Sequence, residues 1–372
     1  MKVLHLVGAQ DDSGGILDVI RSLQTATATQ NCTHTVWVNH AFRETRAPSL
    51  SCRYSRHLLA ESPSHLKLLA CAMRAIPELR ALLRREPFEV LHGHSRGALP
   101  LALLWATLGR RALVFTNHTY ARRRGLYRWA ARRPRLHTVL LTPNMGRYYG
   151  LAVEAPNIHV ISPCVADGFF ACPLVERDRS ASPARPLRLV GIGNLVRWKN
   201  WHLVLAAFGL LSAEERSRVL FRHWGPPASS PDSLAYLEHL RATVQAHGLQ
   251  DQCRFEGFAP SIEVVLREAG WLVLPSTNEP CSGAMIQALA MGVPVLAAAS
   301  GGNVDLIRDR ATGLLFAPDD PAALAAGIRE IFEGRVAVQA PEALRQSVQQ
   351  SSAAAVAAQY LDLYRRVQLG VG

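Results

Sequence analysis

Two periodicities alternate along this chain. Short apolar runs of strand length stand at 1–8, 35–38, 88–92, 112–116, 138–143 and 158–163, and again at 187–193, 219–226, 253–258, 271–275, 293–297 and 313–317. Between them apolar residues recur at helical spacing, the mark of helices with one buried face. Leu66, Leu69, Met73, Ile76, Leu79 and Leu83 trace the longest, over 64–85, with Ser62 or Ser64 as its cap. Pro77 lies inside it, and its missing N–H predicts a break or kink there. Other helices are predicted at 17–24, 99–108, 203–211, 234–247, 262–269, 284–291, 304–308 and 322–333, and a last one at 352–367. Strands alternating with helices predict an α/β protein with parallel sheets.

The stretch 272–303 shows the unit most clearly: an apolar strand, a polar loop from Ser276 to Gly283, a helix, Gly292 as its stop, then a second strand. About 30 residues is the length of one parallel crossover. Its loop falls at a strand's carboxyl end, where open α/β sheets bind ligands. It places the acid Glu279 beside the backbone N–H groups of Ser282, Gly283, Ala284 and Met285 at a helix N-terminus, an arrangement suited to phosphate. Any buried βαβ crossover shares part of this pattern.

Composition bounds the reading. The chain has 372 residues, enough for two ordinary domains, and 49% apolar against 19% charged residues excludes wholesale disorder. No run of about 18 apolar residues occurs, so no spanning helix is expected. The first residues read as a Rossmann-type strand ending at Gly8, not as a signal peptide. Seven cysteines without a C-x-x-C pair predict a reducing cytoplasm and no zinc site.

The net charge of +12 attracts anions, and Arg122, Arg123, Arg124, Arg128, Arg132, Arg133 and Arg135 concentrate it. On one helix Arg124, Arg128 and Arg132 would share a face, able to dock on an anionic membrane or a phosphorylated acceptor. A solvated basic helix gives the same pattern. No nucleic-acid-binding motif accompanies it, so nucleic acid is not an expected partner.

Other chemistry collects at strand ends. Gly14-Gly15 follow the first strand, where glycines let a backbone approach a ligand, although a plain βα turn carries the same pair. His94 and His118 follow successive strands, which raises a functional reading beside the ordinary one of satisfied core histidines. Lys199 follows the strand that ends at Gly193, with Asn194 and Arg197 between them.

Glu279-Pro280, Gly283, position 287, Ala288, Ala290, Gly292 and Pro294-Val295 together resemble the signature of family 4 glycosyltransferases, retaining enzymes of the GT-B fold related to glycogen synthase. The family's second glutamate is Gln287 here. The segment 191–200 resembles the family's G-R-L-x-x-x-K-G, with Lys199 matched and the arginine replaced by Asn194. Thr116-Asn117-His118 resembles its strand-end histidine, and 313–317 its T-G-x-L-x. Pro163-Cys164 stand where the family closes its first domain with Asn-Gly. The likeness runs over nearly the whole chain and is most specific at 275–303.

The resemblance implies two Rossmann-like domains with parallel sheets facing across a cleft. Residues 1–170 would form an acceptor domain, 171–187 a linker, 188–351 a nucleotide-sugar domain, and 352–372 a helix returning to the first domain. It implies His118, Glu279 and Lys199 as catalytic residues. Gly14, Gly15, Asn194, Arg197, Lys199, Gly225, Phe258, Glu279, Ser282, Gly283, Ala284, Met285 and Gln287 would bind the donor. His94, Arg124, Arg128 and Arg132 would face the acceptor or a membrane.

No D-x-D pair occurs, so no metal is expected. No cofactor is expected either, because a UDP- or GDP-sugar would be a substrate. The acceptor would be a saccharide or lipid-linked saccharide at the inner face of the cytoplasmic membrane, in polysaccharide or lipopolysaccharide synthesis. The losses at 194 and 287 keep a catalytically silent GT-B protein as the alternative.

Overall fold

The computed structural model describes residues 1–372 except 10, 11, 13, 14, 58, 60–63, 109–111, 175–181, 183, 229, 260 and 370–372. Two compact units share the chain, Met1–Ala166 with Ser351–Gly372, and Asp167–Gln350. The first division falls after Ala166, ahead of the expected 170, because the short helix Asp167–Ala171 packs on the helix Gly283–Ala290 of the second unit. Most of the expected linker lies outside the described residues.

Among the described residues the first unit holds seven strands: β1 (Lys2–Leu6), β2 (Thr33–Asn39), β3 (Ser51–Ser55), β4 (Val90–Gly93), β5 (Leu113–Asn117), β6 (Leu136–Leu140) and β7 (Ile158–Val160). All pair in parallel, in the order β3-β2-β1-β4-β5-β6-β7. The order reverses beside β1, the switch point where such sheets bind ligands. β3 was not predicted. It is an edge strand of mostly polar, partly exposed residues, so no apolar run announces it.

The helix His65–Arg85 runs through Pro77 without ending, against the predicted break. The carbonyl that Pro77 leaves unpaired belongs to Met73, which is exposed, so water can take the lost partner's place. Ser64 caps this helix through Lys67 N; Ser62 lies outside the described residues. The C-terminal helix Ala353–Leu369 packs against the helix Gly15–Thr27 and over β4 and β5. Its apolar face joins Val3, Val90, Val114 and Val139 in one core.

Among the described residues the second unit holds six parallel strands: β8 (Leu187–Ile192), β9 (Val219–Trp224), β10 (Cys253–Gly257), β11 (Trp271–Leu274), β12 (Val295–Ala298) and β13 (Gly313–Phe316). Their order is β10-β9-β8-β11-β12-β13, and the reversal lies between β8 and β11. Trp201, fully buried at the start of the helix Trp201–Gly209, sits over β8 at Gly191. A Cβ on Gly191 would stand 2.8 Å from its ring, so only glycine lets the indole down onto the sheet. No described helix is long and apolar enough to cross a membrane.

Candidate active site

In the second unit the switch point gathers three loops. Gly193 leaves β8 with φ of 146°, and Gly225 leaves β9 with φ of 148°. A Cβ on Gly225 would fall 2.0 Å from the Gly193 carbonyl oxygen, so the two turns touch backbone to backbone. Trp201 Nε1 donates to the Asn194 carbonyl at 3.1 Å and pins the loop that follows. The chain then makes one tight turn, Arg197–Lys199, ended by Asn200 in the left-handed region.

That turn delivers Lys199 to the loop after β11. Its Nζ donates to Glu279 Oε2 at 2.6 Å, and Ser276 Oγ donates to the same oxygen at 3.0 Å. Both charged side chains are mostly buried. The Glu279 backbone is held from behind by Gly302 N, at 2.8 Å from its carbonyl oxygen. Gly301, at φ of 59°, passes so close that a Cβ there would lie 2.5 Å from that oxygen. An ion pair with a third polar group is how a protein keeps charge in a largely dry site.

The helix Gly283–Ala290 begins four residues beyond the acid. Ser282 caps it by accepting from Met285 N at 3.4 Å. The Met285 amide, expected to face a ligand, is therefore taken inside the cap. Gly283 and Ala284 stand at the helix start, both half-buried, and a Cβ on Gly283 would meet nothing within 4 Å. Gln287, also half-buried, lies one turn along on the same side. Phe258 follows β10 and is 72% exposed. Arg197 lies over the Tyr236 ring, 5.5 Å from its centroid, near His202.

The first unit carries a different cluster. His118, just beyond β5, is partly exposed. Its Nε2 lies 3.3 Å from His94 Nδ1. His94, expected at the acceptor, is buried and spends its other nitrogen on His5 at 2.8 Å, so it lies beneath His118 rather than at a surface. His5 in turn meets His34 at 2.8 Å. His92 lies against His94, with ring centroids 3.9 Å apart and planes tilted by 32°, and bonds Tyr364 and Thr116, both at 2.7 Å.

Register explains the cluster. His5 pairs with His92 across β1 and β4, and residues two apart on a strand share a face. Burial pushes His34 and His118 down to about 4, and His5, His92 and His94 well below their ordinary value, so all five imidazoles are neutral at pH 7. His5, His92 and His94 bring ring nitrogens within 4.8 Å of one another, a spacing a metal ion also uses. All six of those nitrogens are already spent on hydrogen bonds.

Only His94 and His118 stood out in the sequence. His5, His34 and His92 sit inside strand runs, and their one signal is histidine recurring on one face of neighbouring strands.

Gly14 lies outside the described residues. Gly15 opens the helix Gly15–Thr27, and a Cβ there would also meet nothing. Asp12 accepts from Arg21 on both oxygens at 2.7 and 2.8 Å and from the amides of Thr45 and Arg46.

The arginine segment forms a short helix, Gly125–Ala131, rather than one carrying all three predicted arginines on a face. Arg124 and Arg132 are its caps. Arg124 and Arg128 donate to the carbonyls of Tyr148 and Tyr149, at 3.1 and 2.6 Å. Those carbonyls end the helix Pro143–Tyr149, where cations are favoured.

Comparison with known proteins bears on the family and the fold. The family model for glycosyl transferases group 1 matches residues 175–351, and that for glycosyltransferase family 4 matches 13–168. The 2-deoxystreptamine glucosyltransferase of Streptomyces kanamyceticus is 27% identical over 70% of this chain and 72% of its own length. The lipopolysaccharide core biosynthesis mannosyltransferase LpcC of Rhizobium leguminosarum bv. viciae is 28% identical over 64% of this chain and 67% of its own. Other curated relatives are matched over about half their length, among them the D-inositol 3-phosphate glycosyltransferase of Jonesia denitrificans, 28% identical over 49% of this chain and 45% of its own.

Among solved structures, the sucrose-phosphate synthase of Thermosynechococcus elongatus superposes with a TM-score of 0.80 at 19% identity, over 99% of both chains. Anabaena HepE in complex with UDP gives 0.72 at 16% identity, over 98% of this chain and 100% of that one. Two parallel Rossmann-like sheets, a strand-end Lys–Glu pair beside a helix N-terminus, and family models over both halves place this chain in glycosyltransferase family 4, with the GT-B fold.

Proposed function

We propose that this protein is a retaining glycosyltransferase that moves a sugar from a nucleotide-sugar donor to a saccharide or lipid-linked saccharide. The Lys199–Glu279 pair carries the reading, because it joins a cation and an acid at 2.6 Å beside a helix N-terminus. The donor's diphosphate takes Lys199 and the Gly283 and Ala284 amides, which stabilise charge on the departing nucleotide without a metal. Glu279, released from Lys199, holds donor hydroxyls and offsets positive charge developing at the anomeric carbon. Gln287 takes the ribose hydroxyls as a neutral amide. The acceptor attacks from the face the nucleotide leaves, and a donor phosphate oxygen takes its proton. His118 contacts the sugar. No cofactor takes part, and the base is uracil or guanine.

Relatives named for lipopolysaccharide core and colanic acid biosynthesis support a lipopolysaccharide or polysaccharide acceptor. The helix His65–Arg85 exposes Leu66, Leu69 and Met73 beside Lys67 and Arg74, a mixed apolar and basic face suited to anionic lipid. A thermal-shift screen against UDP- and GDP-sugars, with mass spectrometry of acceptor mixtures, tests the reading. A donor at 100 times its Kd adds about 2.7 kcal/mol and shifts Tm visibly. The shift should be lost in Lys199→Ala, and product formation should fall steeply. Binding without product or donor hydrolysis would establish the catalytically silent alternative.

A further inference from the structure

Four imidazoles form a single file in the first unit. It starts at Thr27 Oγ1, 3.0 Å from His34 Nε2. His34 Nδ1 then meets His5 Nε2 at 2.8 Å, His5 Nδ1 meets His94 Nε2 at 2.8 Å, and His94 Nδ1 meets His118 Nε2 at 3.3 Å. Thr27, His34, His5 and His94 are buried. His92 does not interrupt the file, since its nitrogens go to Tyr364 and Thr116.

A neutral imidazole has one N–H and one lone pair, so each link has a direction, and fixing one link fixes them all. Thr27 fixes the first. Its hydroxyl donates to the Leu23 carbonyl at 2.8 Å, and a carbonyl only accepts. The single hydroxyl proton is spent there, so the Thr27 oxygen can only accept from His34, which carries its proton on Nε2. His34 Nδ1 is then an acceptor and takes His5 Nε2–H. His5 Nδ1 takes His94 Nε2–H, and His94 Nδ1 takes His118 Nε2–H.

We propose that Thr27, His34, His5 and His94 are positioning residues that hold His118 in its Nε2–H tautomer, so that its bare Nδ1 accepts a hydrogen bond from a sugar hydroxyl. A neutral acceptor at that point favours a polyol and disfavours a carboxylate or phosphate, whose oxygens only accept. The contact with the sugar rests on the function proposed above; the tautomer does not.

Nitrogen-15 NMR of histidine-labelled full-length protein at pH 7.5 reads the tautomer without any substrate. We expect His118 protonated on Nε2 and bare on Nδ1. Thr27→Val removes the anchoring oxygen and leaves Cys32 Sγ, 3.6 Å from His34 Nε2, as the remaining polar neighbour. A thiol is a weak donor and a weak acceptor, so it no longer fixes the direction of the file, and the His118 proton should distribute between Nε2 and Nδ1. Thr27→Ser restores the original direction. Where transfer is measurable, Thr27→Val should lower kcat/KM in proportion to the fraction of His118 protonated on Nδ1, and Thr27→Ser should recover it.

A wild-type spectrum with His118 protonated on Nδ1 overturns the proposal, and it does so whether or not any variant folds. An unchanged His118 tautomer in folded Thr27→Val overturns it too. Absent transfer activity with the expected tautomers would refute the functional reading and leave the file standing.

Discussion

The two strand-end clusters solve the same problem with opposite chemistry. Each unit brings polar groups to the point where its strand order reverses. The second unit uses full charges, Lys199 against Glu279 with Ser276 alongside. The first uses neutral rings, with His118 resting on His94, His5 and His34. A buried ion pair stays charged only through its partner, and removing either side leaves an uncompensated charge. A file of neutral imidazoles avoids that cost, but each ring must remain unprotonated. One site is therefore vulnerable to losing a partner, the other to gaining a proton.

Acid separates the two most strongly. His5, His34, His92, His94, His118, His137 and His159 of the first unit are all lowered, chiefly by burial, against His202 and His223 in the second. Unfolded histidine titrates near 6.5. Below that pH the unfolded chain binds protons that the folded rings refuse, until about 4 for His34, His118 and His159. Their stabilisation is complete above about pH 6.5 and is lost as pH falls, by up to about 1.4 kcal/mol per pH unit for each ring. Hydrogen exchange at pH 5 should open β1, β4 and β5 before β8 and β11. Protection lost first from the second unit would reverse the comparison.

Breaking the ion pair comes next. Lys199→Ala should lower turnover about 100- to 1000-fold, the usual cost of a group aimed at developing charge. It should also destabilise the fold, because Glu279 is left buried without its cation. Lys199→Met combined with Glu279→Gln removes both charges and should recover most of the melting temperature but none of the transfer. Recovery of both would reduce the pair to a structural brace.

Ser276→Ala asks how much of the charged site depends on its neutral member. A hydrogen bond to a charged acceptor contributes about 1.5–3 kcal/mol. Glu279 keeps Lys199 in this variant, so the lower end applies, about a tenfold loss in kcat/KM for the donor. The comparable change in the other unit, Thr116→Val, removes a bond to His92 outside the file and should leave the His118 tautomer alone.

The charged site was largely legible in the sequence, whereas of the neutral one only His94 and His118 were. Glu279 and Lys199 stand in segments that follow apolar strands, where a polar residue has no packing reason to recur, and Gly283 opens the helix that comes next. Met285 misled because Ser282, one of its neighbours, takes its amide into the cap. Arg124 and Arg128 misled because two tyrosine carbonyls at a nearby helix end claim them, and no local spacing encodes that. His5, His34 and His92 replace apolar residues inside strands. Only the pairing of β1 with β2 and β4 brings them together, and register is a property of the folded sheet. The strands and most helices were readable from periodicity, while β3 and the passage through Pro77 depend on exposure to solvent, which periodicity does not report.

The smallest expected effect concerns Gln287, where the chain departs from its family. Its position, one turn beyond Gly283 on a helix whose N-terminus faces open space, suits a contact with hydroxyls of the bound donor. An amide oxygen accepts such a bond without charge, and a carboxylate forms one roughly twice as strong. Gln287→Glu should therefore tighten the donor by about 1 kcal/mol, a roughly fivefold lower KM, with turnover little changed because the contact is the same before and during transfer. A matching change at Asn194→Arg adds a cation near Lys199 and should act on turnover instead, since that charge meets the departing nucleotide. If Gln287→Glu weakens the donor, the neutral amide is an adaptation to a different ligand group at that point. The second unit would then share with the first the use of uncharged acceptors for hydroxyl recognition.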